Sequence, residues 1–273
     1  MNRMDNKICV ITGATQGLGA SIARRLAASG AAGIVVTGRT EKRGLAVAES
    51  ISAEFNTPTL FVRADLGSVE DCRRVIADTD RRFGRLHVLV NAGAVTERGT
   101  ILDTSPDLFD RMFAVNVRGP YFMMQEAIKL MIRAGIEGAI CNIGSISALS
   151  GQPFINAYCA SKGALTTLTA NTAFSVMGNR IRVNQLNVGW MASDQEQQVQ
   201  LTETNDPEWM DKAAKKLPFG RLVDPAEAAR AVNFLVSDDA GLMTGSIVNF
   251  DQSVWGAAPT GMPVPDGPMR LPL

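Results

Sequence analysis

Three polar side chains in the middle of the chain are of types that can move a proton. Tyr158 and Lys162 are four residues apart, so on a helix they lie on one face, separated by about 6 Å of axial rise. A free phenol has a pKa near ~10, and a neighbouring cation favours its phenolate. Lys162 is placed to be that cation, and the Ser145 hydroxyl upstream can hold a substrate oxygen. The alternative is an exposed Tyr–Lys pair without chemistry, and the surrounding elements decide between the two.

A glycine-rich turn near the N-terminus is of the kind that holds a phosphate. Residues 7–12 form an apolar run that predicts a buried strand, and residues 20–29 form an alanine-rich run that predicts a helix. Gly13, Gly17 and Gly19 lie between them in the spacing G-x-x-x-G-x-G. Glycines let the backbone approach a pyrophosphate, whose charge is met by the helix N-terminus. An ordinary strand–helix turn is the alternative interpretation.

The ends of the next two predicted strands bear on the choice of cofactor. In a dinucleotide-binding fold, an acidic residue after the second strand bonds the ribose 2′-hydroxyl, whereas an arginine accommodates a 2′-phosphate. Gly38 stands where the acid is expected and Arg39 follows it, so the sequence favours NADP(H) over NAD(H), with a plain surface charge as the alternative. Asp65, after the third strand, is a candidate for contact with the adenine amino group. Its alternative role is a helix cap, for which Ser68 competes.

The composition limits the classes of partner. The 273 residues are 46% hydrophobic and 20% charged, which is enough to bury a large core. Lys+Arg 27 and Asp+Glu 27 cancel, and no long basic run occurs, which argues against nucleic-acid and membrane partners. The four cysteines are scattered and His87 is the single histidine, so we expect no metal site and no disulfide scaffold. The pattern contains neither a signal peptide nor a membrane-spanning apolar stretch, and we expect a cytoplasmic protein.

Predicted strands and helices alternate along the whole chain. This alternation predicts an α/β fold: one doubly wound Rossmann-type domain with a mostly parallel seven-stranded sheet and helices on both faces. We expect the domain to cover residues 1–256, with a polar, glutamine-rich substrate lid at about residues 190–217. Residues 257–273 form a tail rich in Pro and Gly. The predicted strands are residues 7–12, 33–38, 59–63, 86–90, 139–143, 180–186 and 247–250.

Together these motifs resemble those of the short-chain dehydrogenase/reductase family, from about residue 7 to residue 251. Residues 12–19 match the family's cofactor turn, Asn91-Ala92-Gly93 its motif after strand four, and Tyr158-x-x-x-Lys162 its catalytic pair. Ser145 precedes the tyrosine by thirteen positions, the spacing usual in the family. The resemblance implies NAD(P)(H)-dependent oxidoreduction, on a single domain that is often assembled as a homotetramer through its long paired helices.

The resemblance also implies roles for individual residues. Tyr158 is expected to be the general acid/base, with its pKa lowered by Lys162 and by the oxidised nicotinamide. Lys162 is expected to bond the nicotinamide ribose, Ser145 to orient the substrate oxygen, and Asn116 to fix a water that links Lys162 to solvent. The positions assigned to cofactor binding are Gly13, Thr15, Gln16, Gly17, Leu18, Gly19, Arg39, Asp65, Leu66, Asn91, Ala92, Gly93, Tyr158, Lys162, Val188, Gly189, Met191 and Ser193.

Three positions depart from the family's pattern. Val188-Gly189 follows strand six where relatives usually have Pro-Gly. Ser193 stands where a threonine commonly contacts the nicotinamide amide, so a hydroxyl is kept. Gln252-Ser253 replaces a frequent Gly-Gly. None of these departures removes a catalytic group.

Three readings of the function remain open from the sequence. The amides of the lid suit a sugar or polyol, because each buried hydroxyl needs a partner, although glutamines also serve simply to solvate a lid. A 3-oxoacyl thioester, as in fatty-acid synthesis, is the rival substrate. It would require a basic patch for a carrier protein, and the net charge of zero gives no sign of one. A dinucleotide-binding sensor without chemistry is the third reading.

Overall fold

A seven-stranded parallel sheet forms the centre of the protein. The computed structural model describes residues 3–149 and 152–254. All six pairs of neighbouring strands are parallel, in the order β3-β2-β1-β4-β5-β6-β7, so the doubly wound fold predicted from the sequence is confirmed and the sheet is wholly parallel. The strands are β1 (Ile8–Thr12), β2 (Gly33–Gly38), β3 (Thr59–Arg63), β4 (Val88–Asn91), β5 (Ala139–Ser145), β6 (Arg182–Val188) and β7 (Ile247–Phe250).

The strand order reverses beside β1, which creates a crevice. β1 pairs with β2 on one side and with β4 on the other, so successive crossovers run in opposite directions from this point. The connections that follow β1 and β4 therefore lead to opposite faces of the sheet, and the crevice at the carboxyl ends of these strands is where such a fold binds a ligand. The apolar run of β1 is fully buried, which is why the sequence pattern identified it as a central strand.

Two helical layers cover the faces of the sheet. One apolar core lies under α1, α2 and α9, and another lies under α3, α5 and α6. The helices in the described part of the chain are α1 (Gly17–Ala28), α2 (Glu41–Phe55), α3 (Val69–Phe83), α4 (Pro106–Phe113), α5 (Gly119–Arg133), α6 (Asn156–Val176), α7 (Asp194–Thr204), α8 (Trp209–Ala214) and α9 (Pro225–Val236). No helix among the described residues is both long and apolar enough to cross a membrane.

Local sequence features set where some helices and strands begin and end. Ser105 caps α4 by accepting a hydrogen bond from the Leu108 backbone, with Pro106 in the first turn. A π-helical turn at Ala114–Arg118 joins α4 to α5. Strand β4 begins two residues later than predicted, at Val88.

The polar segment predicted as a lid folds into two short helices, α7 and α8. Trp209 of α8 is buried with Ala213 and Leu222 in a small apolar cluster of the lid's own. Its indole Nε1 donates a 2.8 Å hydrogen bond to Gln197 of α7 and joins the two helices. The predicted tail, residues 257–273, lies outside the described residues.

Candidate active site

One large cavity lies at the carboxyl ends of the strands, where the fold predicts a ligand. Its volume is about 1330 Å³, and both the glycine turn and the lid contribute to its walls. Of the predicted site residues, those lining it are Gly13, Thr15, Gln16, Gly17, Leu18, Gly19, Arg39, Asp65, Leu66, Ala92, Gly93, Ser145, Tyr158, Lys162, Val188, Gly189, Met191 and Ser193. The two predicted residues outside its lining are Asn91 and Asn116.

The glycine turn leaves no space for side chains at its base. A Cβ atom on Gly13, whose φ is +64°, would lie 2.4 Å from the Gly93 Cα, and one on Gly19 would lie 2.4 Å from the Gly13 carbonyl oxygen. The two loops of the crevice therefore meet backbone to backbone, and α1 begins directly at the cavity. Free N–H groups at that helix N-terminus fit the pyrophosphate of a dinucleotide. When bound, a nicotinamide dinucleotide supplies hydride chemistry.

Two arginines line the cavity near the carboxyl end of β2. Arg39 follows β2, and Arg43 in the first turn of α2 donates a hydrogen bond to the Gln16 side chain. A Cβ on Gly38 would lie 2.6 Å from the Thr15 methyl group, so an acidic side chain does not fit there without moving Thr15. Sequence reasoning found Arg39 but missed Arg43, for which the four-residue spacing across the start of α2 was the available signal.

Asp65 and Asn91 have structural partners. The Asp65 carboxylate accepts a hydrogen bond from the Gly67 backbone while still lining the cavity, and Ser68 caps α3, the competing role considered above. The buried Asn91 side chain donates a 2.8 Å hydrogen bond to Asn142, away from the cavity. Its predicted contact with a cofactor stays a prediction.

The predicted proton-transfer group, Ser145, Tyr158 and Lys162, comes together from two elements. Ser145 ends β5, and α6 carries Tyr158 and Lys162 one turn apart, beside that strand. The Lys162 Nζ atom donates a 2.8 Å hydrogen bond to the Ile143 carbonyl and lies 5.6 Å from the centre of the Tyr158 ring. Lys162 is buried, so its ammonium is held at the base of the cavity.

Burial shifts both pKa values away from their ordinary range. It raises the pKa of Tyr158 to about 12, against a smaller lowering by a hydrogen bond with Ser145. It lowers the pKa of Lys162 to about 8. In the protein without cofactor, desolvation of the phenolate dominates the Tyr158 pKa. The expected lowering by Lys162 together with the oxidised nicotinamide stays a prediction. Tyr158 is a neutral phenol at pH 7.

Asn116 stabilises the loop after β4. It lies in the π-helical turn, where its Oδ1 accepts a 2.8 Å hydrogen bond from the Val95 N–H and its Nδ2 donates to the Val95 carbonyl at 2.9 Å. The same Nδ2 lies 3.1 Å from the Ser161 hydroxyl on α6. Both amide hydrogens are thus used by protein groups, and Asn116 ties the loop, the turn and the catalytic helix together.

The lid and the loop after β4 enclose the substrate end of the cavity. Arg98 forms an ion pair with Glu203 of α7, with an Nε–Oε1 distance of 2.8 Å, and lies over the Phe154 ring. Trp190 lines the cavity, whereas Trp209 does not. Glu196 lines it as well. Sequence reasoning missed Arg98, Glu196 and Glu203, because charged residues on a polar segment carry no pattern that distinguishes a lining position from a solvated one.

Two further residues, one in the loop after β5 and one in the lid, line the cavity and also bond to other protein groups. Gln152 lines the cavity and accepts a 2.6 Å hydrogen bond from the Ser147 hydroxyl. Ser193 lines it and caps α7 by accepting a hydrogen bond from the Glu196 backbone.

Within residues 3–149 and 152–254, no group of three or more His, Cys, Asp or Glu side chains is arranged to hold a metal ion.

Known proteins resemble this chain over nearly its whole length. Residues 13–253 match the family model described as enoyl-(acyl carrier protein) reductase. A trans-4-hydroxycyclohexanecarboxylate dehydrogenase from Sinomonas cyclohexanicum is 33% identical, over 92% of this chain and 93% of that protein. A meso-2,3-butanediol dehydrogenase from Serratia marcescens is 31% identical, over 91% of this chain and 94% of that protein.

A solved structure shows the same fold. The L-sorbose reductase of Gluconobacter frateurii, complexed with NADPH and L-sorbose, superposes with a TM-score of 0.89. The two sequences are 26% identical, and the match covers 94% of this chain and 100% of that one. The likeness therefore includes the whole sheet and both helical layers.

Proposed function

The chain belongs to the short-chain dehydrogenase/reductase family and is an NAD(P)-dependent enzyme acting on CH–OH groups, and from this premise we propose that it interconverts a sugar or polyol and the corresponding ketone, with Tyr158 as general acid/base. The observation that carries the proposal is the placement of Ser145, Tyr158 and Lys162 on one wall of a cavity whose other end has a glycine turn. A sensor without chemistry would not need this group.

Tyr158 is in the protonation state that ketone reduction requires. With a pKa of about 12 it is a neutral phenol at pH 7, and its hydroxyl donates a proton to the substrate oxygen as the carbonyl carbon becomes tetrahedral. Ser145 donates a hydrogen bond to the same oxygen and fixes its position. Oxidation of an alcohol requires the reverse transfer, which needs the phenolate.

Lys162 and Asn116 support Tyr158 in different ways. The Lys162 ammonium, bonded to the Ile143 carbonyl, is available to a ribose hydroxyl and stabilises negative charge on Tyr158 when the proton leaves. Asn116 acts as a positioning residue, because it joins the Val95 backbone to Ser161 beside the catalytic helix. A water near Asn116 that relays protons to Lys162 remains part of the proposal.

The polar lining at the substrate end supports a hydroxylated substrate. Gln152, Gln200 and Glu196 line the cavity with the exposed indole of Trp190. Buried hydroxyls need such partners, whereas an acyl chain needs apolar walls. A 3-oxoacyl thioester remains the alternative substrate, since a solved 3-oxoacyl (acyl-carrier-protein) reductase from Agrobacterium tumefaciens with NADP bound has the same fold at 25% identity and a TM-score of 0.84.

We propose NADP(H) as the preferred cofactor. Arg39 and Arg43 both line the adenosine end of the cavity, and the space that an acidic side chain at Gly38 would need is taken by Thr15. Two cations without a carboxylate at this position suit a 2′-phosphate.

We also propose a cytoplasmic homotetramer. The cysteines Cys9, Cys72, Cys141 and Cys159 are free thiols, which suits a reducing compartment. Apolar side chains on the outer surfaces of α5 and α6 are exposed and suit a contact between subunits. The catalytic domain is proposed to extend over residues 1–256, with residues 190–217 as its lid.

A direct assay tests the proposal. Purified protein is mixed with NADPH or NADH and a panel of ketoses and hydroxyketones, and the nicotinamide absorbance is followed. We expect turnover, faster with NADPH, and a loss of at least about a thousandfold in kcat for Tyr158→Phe with NADPH affinity nearly unchanged. Retained turnover in Tyr158→Phe would contradict the assignment of the general acid. Binding of cofactor without turnover of any substrate would favour the sensor.

A further inference from the structure

The charges at the substrate end of the cavity do not all cancel. Among the described residues lining this end, Arg98 and Glu203 form an ion pair with each other, and the Lys162 ammonium is bonded to the Ile143 carbonyl. Glu196 is a carboxylate on the same wall for which the described residues provide no ion pair. Asp194 and Asp251 also line the cavity without an ion pair among the described residues. Of these three carboxylates, Glu196 is the one held by hydrogen bonds from two other lid residues.

The position of Glu196 is determined by hydrogen bonds to one of its two oxygens. It lies in the first turn of α7, where its backbone N–H donates to the capping Ser193 hydroxyl. Its Oε1 atom accepts 2.8 Å hydrogen bonds from the Trp190 indole and from the Gln200 amide. Its Oε2 atom receives no hydrogen bond from the part of the chain that the structure describes. An anchored carboxylate with one unused oxygen is built to accept a hydrogen bond from something else.

Glu196 is also near the proton-transfer group. It shares the cavity with Ser145 and Tyr158, and its negative charge raises the pKa of Tyr158. Cys159 raises that pKa as well, and Lys162 is the cation nearest to the ring. A substrate whose reacting oxygen lies between Ser145 and Tyr158 is therefore within the electrostatic reach of the Glu196 carboxylate.

We propose that Glu196 is a specificity-determining residue, whose Oε2 accepts a hydrogen bond from a second hydroxyl of the substrate, beyond the one that reacts. This inference rests on the proposed function and identifies the Glu196 carboxylate as the group that recognises the substrate. The same carboxylate repels an anionic substituent near the reacting carbon. The site then selects hydroxyketones and polyols over simple ketones, and simple ketones over oxo acids.

The substitution Glu196→Gln separates this role from a purely structural one. Its amide oxygen can still accept the hydrogen bonds from Trp190 and Gln200, so the anchoring of the lid is kept. Only the free oxygen changes, from a charged acceptor to a neutral donor. The matched control is Glu208→Gln, the same chemical change on a lid residue that does not line the cavity.

Three ketones that differ by one substituent provide the measurement, with NADPH as reductant. 2-Butanone is the reference, acetoin adds one hydroxyl, and acetoacetate carries a carboxylate. For Glu196→Gln we expect kcat/KM for acetoin to fall about tenfold, as for the loss of a charge-assisted hydrogen bond. We expect kcat/KM for 2-butanone to stay within about twofold and that for acetoacetate to rise several-fold. Glu208→Gln should leave all three values unchanged.

The outcomes distinguish this inference from the function on which it rests. Equal changes for all three ketones in Glu196→Gln, or no change, contradict the role of Glu196 while the enzyme assignment stands. A change confined to acetoin and acetoacetate, in opposite directions, supports it. If the wild-type protein reduces the ketoses of the first assay but does not prefer acetoin to 2-butanone, the role of Glu196 is contradicted and the proposed function stands. Absence of turnover of these three ketones and of every ketose contradicts the proposed function itself.

Discussion

Lys162 carries a charge that the fold has removed from water. Burial lowers its pKa from 10.5 to about 8, and its hydrogen bond to the Ile143 carbonyl does not restore the ordinary value. Between these two pH values the native protein binds fewer protons than the unfolded chain. The contribution of this group to stability therefore rises with pH across that window, and below about pH 8 the buried ammonium is a cost.

The substitution Lys162→Met removes this titration and tests its sign. We expect the free energy of unfolding of the variant, relative to the wild type, to be highest at neutral pH. The difference should fall by about 1 kcal/mol per pH unit between about pH 8.5 and 10, because only the wild type gains stability there. Urea unfolding at several pH values measures it, and a difference that is constant with pH would contradict a lowered pKa.

At the scale of elements, a polar ladder connects the sheet to the catalytic helix. Asn91 is paired in register with Asn142, Asn142 with Gln185, and Asn187 with Asn249, so their side chains lie on one face of neighbouring strands. Asn91 donates a hydrogen bond to Asn142, which donates to Thr169 of α6. Thr169 in turn donates to Gln185. From there the ladder continues along the sheet, through Asn187 to Asn249. This ladder holds α6, and with it Tyr158 and Lys162, against β5 and β6.

Gly144 makes room for the ladder, which leads to a prediction on stability. A Cβ there would lie 2.1 Å from the Asn187 Oδ1 atom and 2.4 Å from the Gln185 Nε2 atom. Gly144→Ala must push apart two fully buried amides that bond each other, and we expect it to lower the free energy of unfolding by about 2 kcal/mol or more. Urea midpoints provide the measurement.

Gly163 on α6 provides the matched control for Gly144. An added Cβ there meets nothing within 4 Å, so Gly163→Ala should be neutral or stabilising by up to about 1 kcal/mol. Equal urea midpoints for Gly144→Ala and Gly163→Ala would show that the ladder accommodates the added methyl group without loss of stability, which would contradict the prediction.

At the scale of the whole molecule, one helical layer remains incompletely covered. Tyr121 and Ile132 on α5 and Phe174 on α6 are exposed, on the layer that covers the second core. Phe174 is 76% exposed, which is a large apolar group to leave in water. A second copy of the same layer provides an apolar partner surface of this kind.

The proposed tetramer can be tested at this surface. We expect the wild type to be a tetramer by size-exclusion chromatography with light scattering, and Phe174→Asp to shift it to a smaller species, because a buried unpaired carboxylate opposes association. Leu45→Asp is the control, since Leu45 is exposed on α2, in the opposite layer. Identical molar masses for the wild type and Phe174→Asp would show that Phe174 of α6 does not lie in the interface between subunits.

The sequence by itself determined the parts of this protein that depend on neighbours along the chain. The apolar runs predicted the seven strands, because a parallel strand covered on both faces is mostly apolar; the buried amides of the ladder are tolerated because they are hydrogen-bonded to one another and to Thr169. The glycine turn and the Tyr158–Lys162 spacing are visible for the same reason, since each lies within one turn or one helical face. These local patterns were sufficient for the fold, and they placed Tyr158 and Lys162 one turn apart on a helix, as the structure has them.

The tertiary structure alone decided how distant segments meet. Glu196 comes near Tyr158, and Arg43 reaches Gln16, only because separate helices pack around one crevice. It also decided that Trp209 supports the lid while Trp190 faces the cavity. The pKa of Tyr158 belongs to this class, because desolvation depends on every segment that excludes water from the phenol. Such quantities are sums over contacts distant in sequence, and no local pattern encodes them.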